Sequence, residues 1–257
     1  MTMGKVLYYT LVDLARNRSV LAFAALLFVV AEGLFLVEGE AVKAVLSLVQ
    51  VVLALVPLVA LVFTVVYTYG AQEFTQLLAV QPIGRSAILG GRMLALGLSF
   101  LVALLFGLGL PLTVHAPGAT SLVLLVAAVL LAWVFLALGT LIALVNRDRA
   151  RGVGTALAAW AGAVLVYDAL LMTLLFAFSD RPVEPFVLPV AALNPIDLAR
   201  IAVTIQVDLA AMMGYSGAVY KKFLGSGPGI ATALAFMLLW VAWPTVLSFR
   251  VFRSKDL

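Results

Sequence analysis

GAQEFTQLLAVQPIGRSAILGGR, residues 70–92, interrupts a chain that is otherwise almost all hydrocarbon. The run VQVVLALVPLVALVFTVVYTY (49–69) precedes it and LALGLSFLVALLFGLGLPL (94–112) follows it. Either flank can cross a bilayer. About twenty half-polar residues between two spans are too many for a turn and too few for a domain. The stretch also has internal order. Glu73, Leu77 and Leu78 follow the end of one span, Gln81–Pro82 breaks the helix, and SAILGGR starts a new turn into the next span. A short helix held crosswise at the membrane surface offers a hard knob to a soluble partner. The plainer reading is an ordered loop with no partner.

The composition supports the membrane setting. Of 257 residues 65% are apolar and only 11% are charged, with a mean hydropathy of +1.20. A soluble fold of this length could not cover its own core with so little charge. The net charge of +4 comes from Lys and Arg in short interhelical stretches, so no basic patch invites nucleic acid. Cysteine is absent, which removes disulfides, thiolate nucleophiles and thiolate metal sites together. The first apolar run, from Val20 to Val37, exceeds a signal-peptide core and lacks a small-residue cleavage site, so we read it as a retained span.

Apolar segments at about 20–37, 45–68, 93–114, 120–145, 152–178 and 228–249 are each long enough for a hydrocarbon core about 30 Å thick. They are Leu- and Ala-rich without period-two alternation, so they are helices rather than barrel strands. The fold class is therefore all-α, a polytopic membrane protein with six transmembrane helices in a single domain, 1–257. Of sixteen Lys and Arg, eleven fall on one side of this arrangement: Lys5, Arg16, Arg18, Arg85, Arg92, Arg147, Arg149, Arg151, Arg250, Arg253 and Lys255. That bias predicts both termini in the cytoplasm and a place in the inner membrane.

Two further stretches are neither span nor short loop. In residues 3–17, Leu7, Leu11 and Leu14 share a helical face, which suits an interfacial helix. Residues 179–227 begin with a Pro-rich piece that cannot be continuous helix. Asn194 then caps a helix with Pro195 at its first position and Asp197 in its first turn. Leu198, Ile201, Ile205 and Leu209 follow at three- and four-residue spacing, predicting a surface-lying helix whose polar side faces a periplasmic protein.

These features together resemble the permease subunits of ABC-2 type transporters. The specific part of the likeness falls on Glu73, Leu77, Leu78, Gln81, Pro82, Ile83, Arg85, Leu89, Gly91 and Arg92. The resemblance implies a type V exporter-like permease fold and a coupling helix within 70–92. Glu73, Leu77, Leu78, Gln81, Pro82, Ile83, Arg85 and Arg92 would form the contact with a partner ATPase. ATP and Mg would be bound by that partner. This chain has no GxxxxGK[ST] loop and is expected to carry no cofactor and to be no enzyme itself. A narrower likeness, through Asn194, Pro195, Asp197, Arg200, Gly214, Gly217, Ala218 and Phe223, is to the NosY-like permeases of nitrous oxide reductase copper-centre maturation. It implies a NosF-like ATPase, a periplasmic NosD-like protein contacted through Asn194, Pro195, Asp197 and Arg200, and a second permease copy. Membrane lipids complete the partners.

Asp168 is the one acid far inside a predicted span, and an intramembrane carboxylate is a functional candidate. The alternatives are snorkelling to a nearby boundary or pairing with Tyr167 or a neighbouring helix. His115 lacks companions for a metal site and reads as a surface or capping residue. Met212 and Met213 point about 100° apart on a helix and read as packing. Arg147, Arg149 and Arg151 anchor a cytoplasmic boundary. Against the permease reading stand an exporter of lipid, drug or polysaccharide within the same family, a membrane-embedded enzyme and an ion-coupled secondary transporter. The enzyme needs polar groups converging at one depth, and the transporter wants an internal repeat. Neither pattern is evident.

Overall fold

The computed structural model describes residues 3–79, 84–177, 192–207 and 227–254. The chain begins with α1 (Met3–Ala15). Asn17 then caps α2 (Arg18–Glu38) by accepting from the Ser19 amide, which starts a second helix two residues after the first ends. A left-handed Gly39 turns the chain into α3 (Ala41–Gly70), which runs unbroken through Pro57. The short α4 (Gln72–Ala79) lies in the opening stretch. α5 starts at Arg85, passes through a π turn at Leu105–Gly109 and ends at His115. α6 (Ala119–Val145) follows. α7 runs from Arg149 through a π turn at Gly162–Val166 to Ala177. α8 (Pro195–Val207) and α9 (Gly227–Ser254) complete the order.

Among the described residues, six helices are long and apolar enough to cross a membrane: α2, α3, α5, α6, α7 and α9. Their apolar 18-residue stretches differ in burial within the chain, at 50%, 61% and 56% for α3, α5 and α6 but 17% for α2 and α9 and 6% for α7. The middle three are therefore the core, and the others face outward.

Small residues set the closest approaches. At the crossing of α3 and α6, a Cβ on Gly139 would stand 2.9 Å from the Leu61 carbonyl oxygen. At the crossing of α2 and α5, one on Gly107 would stand 2.7 Å from the Ala24 carbonyl oxygen. Backbone cannot swing aside as a side chain can. Gly107→Ala is therefore expected to cost about 1–3 kcal/mol of stability, read as a lower unfolding temperature in detergent. Gly33→Ala in α2 meets nothing within 4 Å and should leave it unchanged or higher.

One sequence expectation, the placement of α8, is corrected here, after the packing of α1. The buried face of α1 is Val6, Thr10 and Leu14, with Leu7 and Leu11 only half-buried. The reason is that α1 packs along α5, where Gly91 lies so close that a Cβ would be 3.1 Å from the Met3 carbonyl and from Val6. The correction concerns α8. α8 does not lie on the surface, because Asn194 to Ala199 and Ile201 to Val203 are all buried against α9, α6 and α3. Trp240, midway along α9, donates its indole N–H to the Ala192 carbonyl at 3.0 Å. Ile201 and Ile205 pack with Ile230 near the start of α9. From residue 240 back to 230 is about 15 Å of helix, so the chain at 192–194 lies deep in the bundle. From there α8 runs back toward the end where α9 begins. Leu209 and residues 214–223 of the expected pattern lie outside the described residues.

Candidate coupling platform and buried ion cluster

The two ends of the bundle differ in chemistry. The end that carries Met3 and Ser254 also carries residues 70–79 and 84–92. Arg85 there donates from Nη1 to the Arg253 carbonyl at 2.9 Å, joining the start of α5 to the end of α9. The Tyr67 hydroxyl donates to Asp13 Oδ2 at 2.9 Å, joining α3 to α1.

α4 is held on this base from beneath. Its amphipathic register puts Thr75 and Leu78 on one face and Phe74 and Leu77 on another. Thr75 and Leu78 are buried, and Leu78 clusters with Val6 of α1 and Ile88 of α5. The fully enclosed Arg92 guanidinium donates to Thr75 Oγ1 at 3.2 Å, and that hydroxyl donates in turn to the Ala71 carbonyl. Phe74 and Leu77 point away and are 48% and 68% exposed. Beside Phe74 a cavity of about 760 Å3 opens between α1, the end of α3 and α4, with Tyr9, Asp13, Tyr67 and Arg149 on its walls.

The residues named for the ATPase contact therefore divide. Glu73, Leu77 and Arg85 are exposed. Leu78 and Arg92 are turned inward, which corrects the expectation that Leu77 and Leu78 point outward as a pair. Gln81, Pro82 and Ile83 lie outside the described residues. Phe74 was missed, although it is the i−3 neighbour of Leu77 on the same helical face. Because Arg92 holds α4 through Thr75, Arg92→Leu is expected to speed amide exchange across residues 72–79 and leave exchange in α3 and α6 unchanged. Unaltered protection of α4 would remove Arg92 from this role.

The second group lies deep in the bundle. The π turn of α7 frees the Ala163 carbonyl from the helical ladder, and it accepts from Asn194 Nδ2 at 2.9 Å. Asn194 Oδ1 accepts from the Ile196 amide, capping α8 as its sequence predicts. One turn on, Arg200 bridges two carboxylates, with Nη2 to Asp168 Oδ2 of α7 at 2.9 Å and Nη1 to Asp197 Oδ1 at 2.6 Å. Asp168 thus pairs with a neighbouring helix, one of the alternatives left open for it. Asp197 is 5% exposed and its Oδ2 has no hydrogen-bond partner among the described residues. Of the four residues expected at a periplasmic partner, Asn194, Pro195 and Asp197 are buried within the chain. His115, read as a surface or capping residue, pairs with Glu32 Oε2 at 2.9 Å and stacks on Phe35, tying α5 to α2. Among the described residues no cluster of His, Cys, Asp and Glu could hold a metal ion.

Among the described residues, six helices are long and apolar enough to cross a membrane, which suits a transporter's membrane subunit. The chain belongs to the ABC-2 family of transporter proteins, whose pattern it matches over residues 74–257, and it is a multi-pass permease subunit of an ABC transporter. It is similar to the probable ABC transporter permease protein NosY of Stutzerimonas stutzeri, 28% identical over 267 residues covering 95% of each chain. It is likewise similar to the protein of the same description from Pseudomonas aeruginosa, 30% identical over 270 residues covering 96% of each. A permease of this family works with an ABC ATPase.

Proposed function

We propose that a NosF-like ATPase docks on α4 and the cavity beside it, and that ATP binding there shifts the permease between two states. The observation that carries this reading is the outward pair Phe74 and Leu77 on a helix braced from below by Arg92 and Leu78. A knob that transmits force must be apolar where it is gripped and rigid where it is mounted. ATP can drive the change only if the ATP-bound partner binds one permease state more tightly. ATP and Mg belong to that partner, and this chain contributes no catalytic group.

The same reading places the chain in the inner membrane with both termini cytoplasmic, in agreement with the Lys and Arg bias. It places two permease copies in each complex and a NosD-like protein on the periplasmic side, serving nitrous oxide reductase copper-centre maturation. The names of the two relatives support the NosY-like part of that assignment. Affinity purification in mild detergent tests it. An ATPase with a GxxxxGK[ST] loop is expected to co-purify, with a periplasmic protein in substoichiometric or equal amount. A permease that purifies folded and alone from cells expressing the neighbouring genes would overturn it. In the same cells a cysteine replacing Lys43 should react with an impermeant thiol reagent and one replacing Ser254 should not.

A further inference from the structure

We propose that the cavity between α1, the end of α3 and α4 holds a phospholipid whose headgroup carries a primary ammonium, with the ammonium at Asp13 and the phosphate at Arg149. This deepens the docking reading above, since the ATPase then meets Phe74, Leu77 and a seated headgroup. It rests on that reading only for the place of the ATPase.

The first observation is a pair of opposite charges that share a cavity and do not meet. Of the residues lining the space of about 760 Å3, Asp13 and Arg149 are the two charged ones. Among the described residues no ion pair within 4.0 Å joins them. Asp13 Oδ2 accepts from the Tyr67 hydroxyl, which leaves Oδ1 without a partner among the described residues. Arg149 likewise has no hydrogen bond or ion pair among them, and its neighbour Asp148 is turned to the Ala150 amide at the cap of α7. A free carboxylate oxygen and a free guanidinium on the walls of one space suit a ligand that carries both charges. A phosphate accepts two hydrogen bonds from a guanidinium fork, and a primary ammonium donates to a carboxylate. A headgroup with a phosphate and no cation would set its charge against Asp13. A quaternary ammonium has no N–H to donate.

The second observation is where the cavity lies. It reaches from Val66, one turn before the end of α3, to Phe74 and Leu78 of α4. Val66 to Gly70 is about 6 Å of helix, which matches a headgroup layer of about 5–8 Å on each side of the hydrocarbon. Arg149 is the first residue of α7, so the basic wall stands where a second span emerges at the same end. Tyr9 and Tyr67 on the walls are amphipathic side chains of the kind enriched at that level. The deeper lining is apolar, from Val6, Val66 and Leu78. A volume near 760 Å3 lies within the range of small-molecule sites and takes a headgroup with the upper part of one chain. The rival occupant is a segment of the ATPase. The position of Val66, inside an apolar span, favours the lipid, whose acyl chain continues along that span.

Native mass spectrometry tests the site on the full chain, alone and with its ATPase, in mild detergent supplied with phosphatidylethanolamine, phosphatidylglycerol or phosphatidylcholine. Phosphatidylethanolamine is expected to survive washing ahead of the other two. Asp13→Asn removes the charge that faces the ammonium and can still accept from Tyr67, and Arg149→Gln removes the charge that faces the phosphate. Each is expected to lower retention about tenfold. Gly70→Leu alters no charge. Gly70 lines the cavity, is not in the left-handed region, and a Cβ there meets nothing within 4 Å, so a leucine takes up the space and should expel the lipid. Equal retention of the ethanolamine and glycerol lipids, or full retention in all three variants, would overturn the proposal. A lipid that leaves when the ATPase binds would overturn it too, because the ATPase then fills the cavity itself. A permease that keeps phosphatidylethanolamine yet never binds the ATPase would support the site and overturn the docking reading.

Discussion

Replacing Arg200 with glutamine should cost the permease about 3 kcal/mol of stability, the lower end of the range for removing one partner of a buried ion pair. The variant leaves Asp168 and Asp197 with no cation between them. The lower end applies because Arg200 and Asp168 are each about one third exposed and water screens what remains. Most of the loss comes from Asp197, whose carboxylate has nowhere to turn at 5% exposure. Detergent unfolding followed by Trp fluorescence reads it, since Trp240 bonds the segment leading into α8 and Trp160 bonds the Ala54 carbonyl of α3. The neutral triple variant Asp168→Asn/Asp197→Asn/Arg200→Gln is expected to recover most of the loss, because no unpaired charge is left behind. An Arg200→Gln protein that unfolds at the wild-type temperature would show that the bridge does not hold α8 in place.

The contrast between what the sequence announces and what it conceals follows from which interactions are local. Six spans are legible because length and hydropathy are properties of a continuous run. The Asn194 cap and Pro195 at the first position are legible because a cap involves neighbours only. Arg200 with Asp197 is an i,i+3 pair, but its second partner, Asp168, is 32 positions away and no spacing rule reaches it. The placement of α8 was misread for a different reason. Leu198, Ile201 and Ile205 describe one apolar stripe whether a helix lies on a membrane or inside a bundle. The discriminating signal was beside the stripe, where Ala199, Ala202 and Val203 widen the apolar face beyond the one stripe a surface-lying helix needs. The same geometry separates Leu77 from Leu78. Adjacent residues on a helix diverge by about 100°, so one leucine of the pair has to turn inward, and α1, a partner only the fold reveals, decides which.

Substituting both Phe74 and Leu77 with alanine should break the complex while leaving the permease folded. The two side chains lie three residues apart on the exposed face of α4 and keep no contact that the buried core depends on. In a protein–protein interface a few central apolar or aromatic anchors carry most of the association energy, and truncating two of them costs on the order of 4 kcal/mol, close to a thousandfold in affinity. The partner ATPase should then fail to co-purify, and ATP hydrolysis in proteoliposomes should no longer respond to the permease. Leu78→Ala should behave differently. It opens a space beside Val6 and Ile88 within this chain, so it should lower permease stability by about 2–3 kcal/mol and weaken the ATPase contact only through a looser α4. Thermal unfolding and co-purification measured on both variants separate the two effects. The outward pair should abolish binding at full stability, and the inward residue should lower stability first. Retained co-purification and normal coupled hydrolysis in Phe74→Ala/Leu77→Ala would mean that the ATPase grips elsewhere and that residues 72–79 only connect two spans.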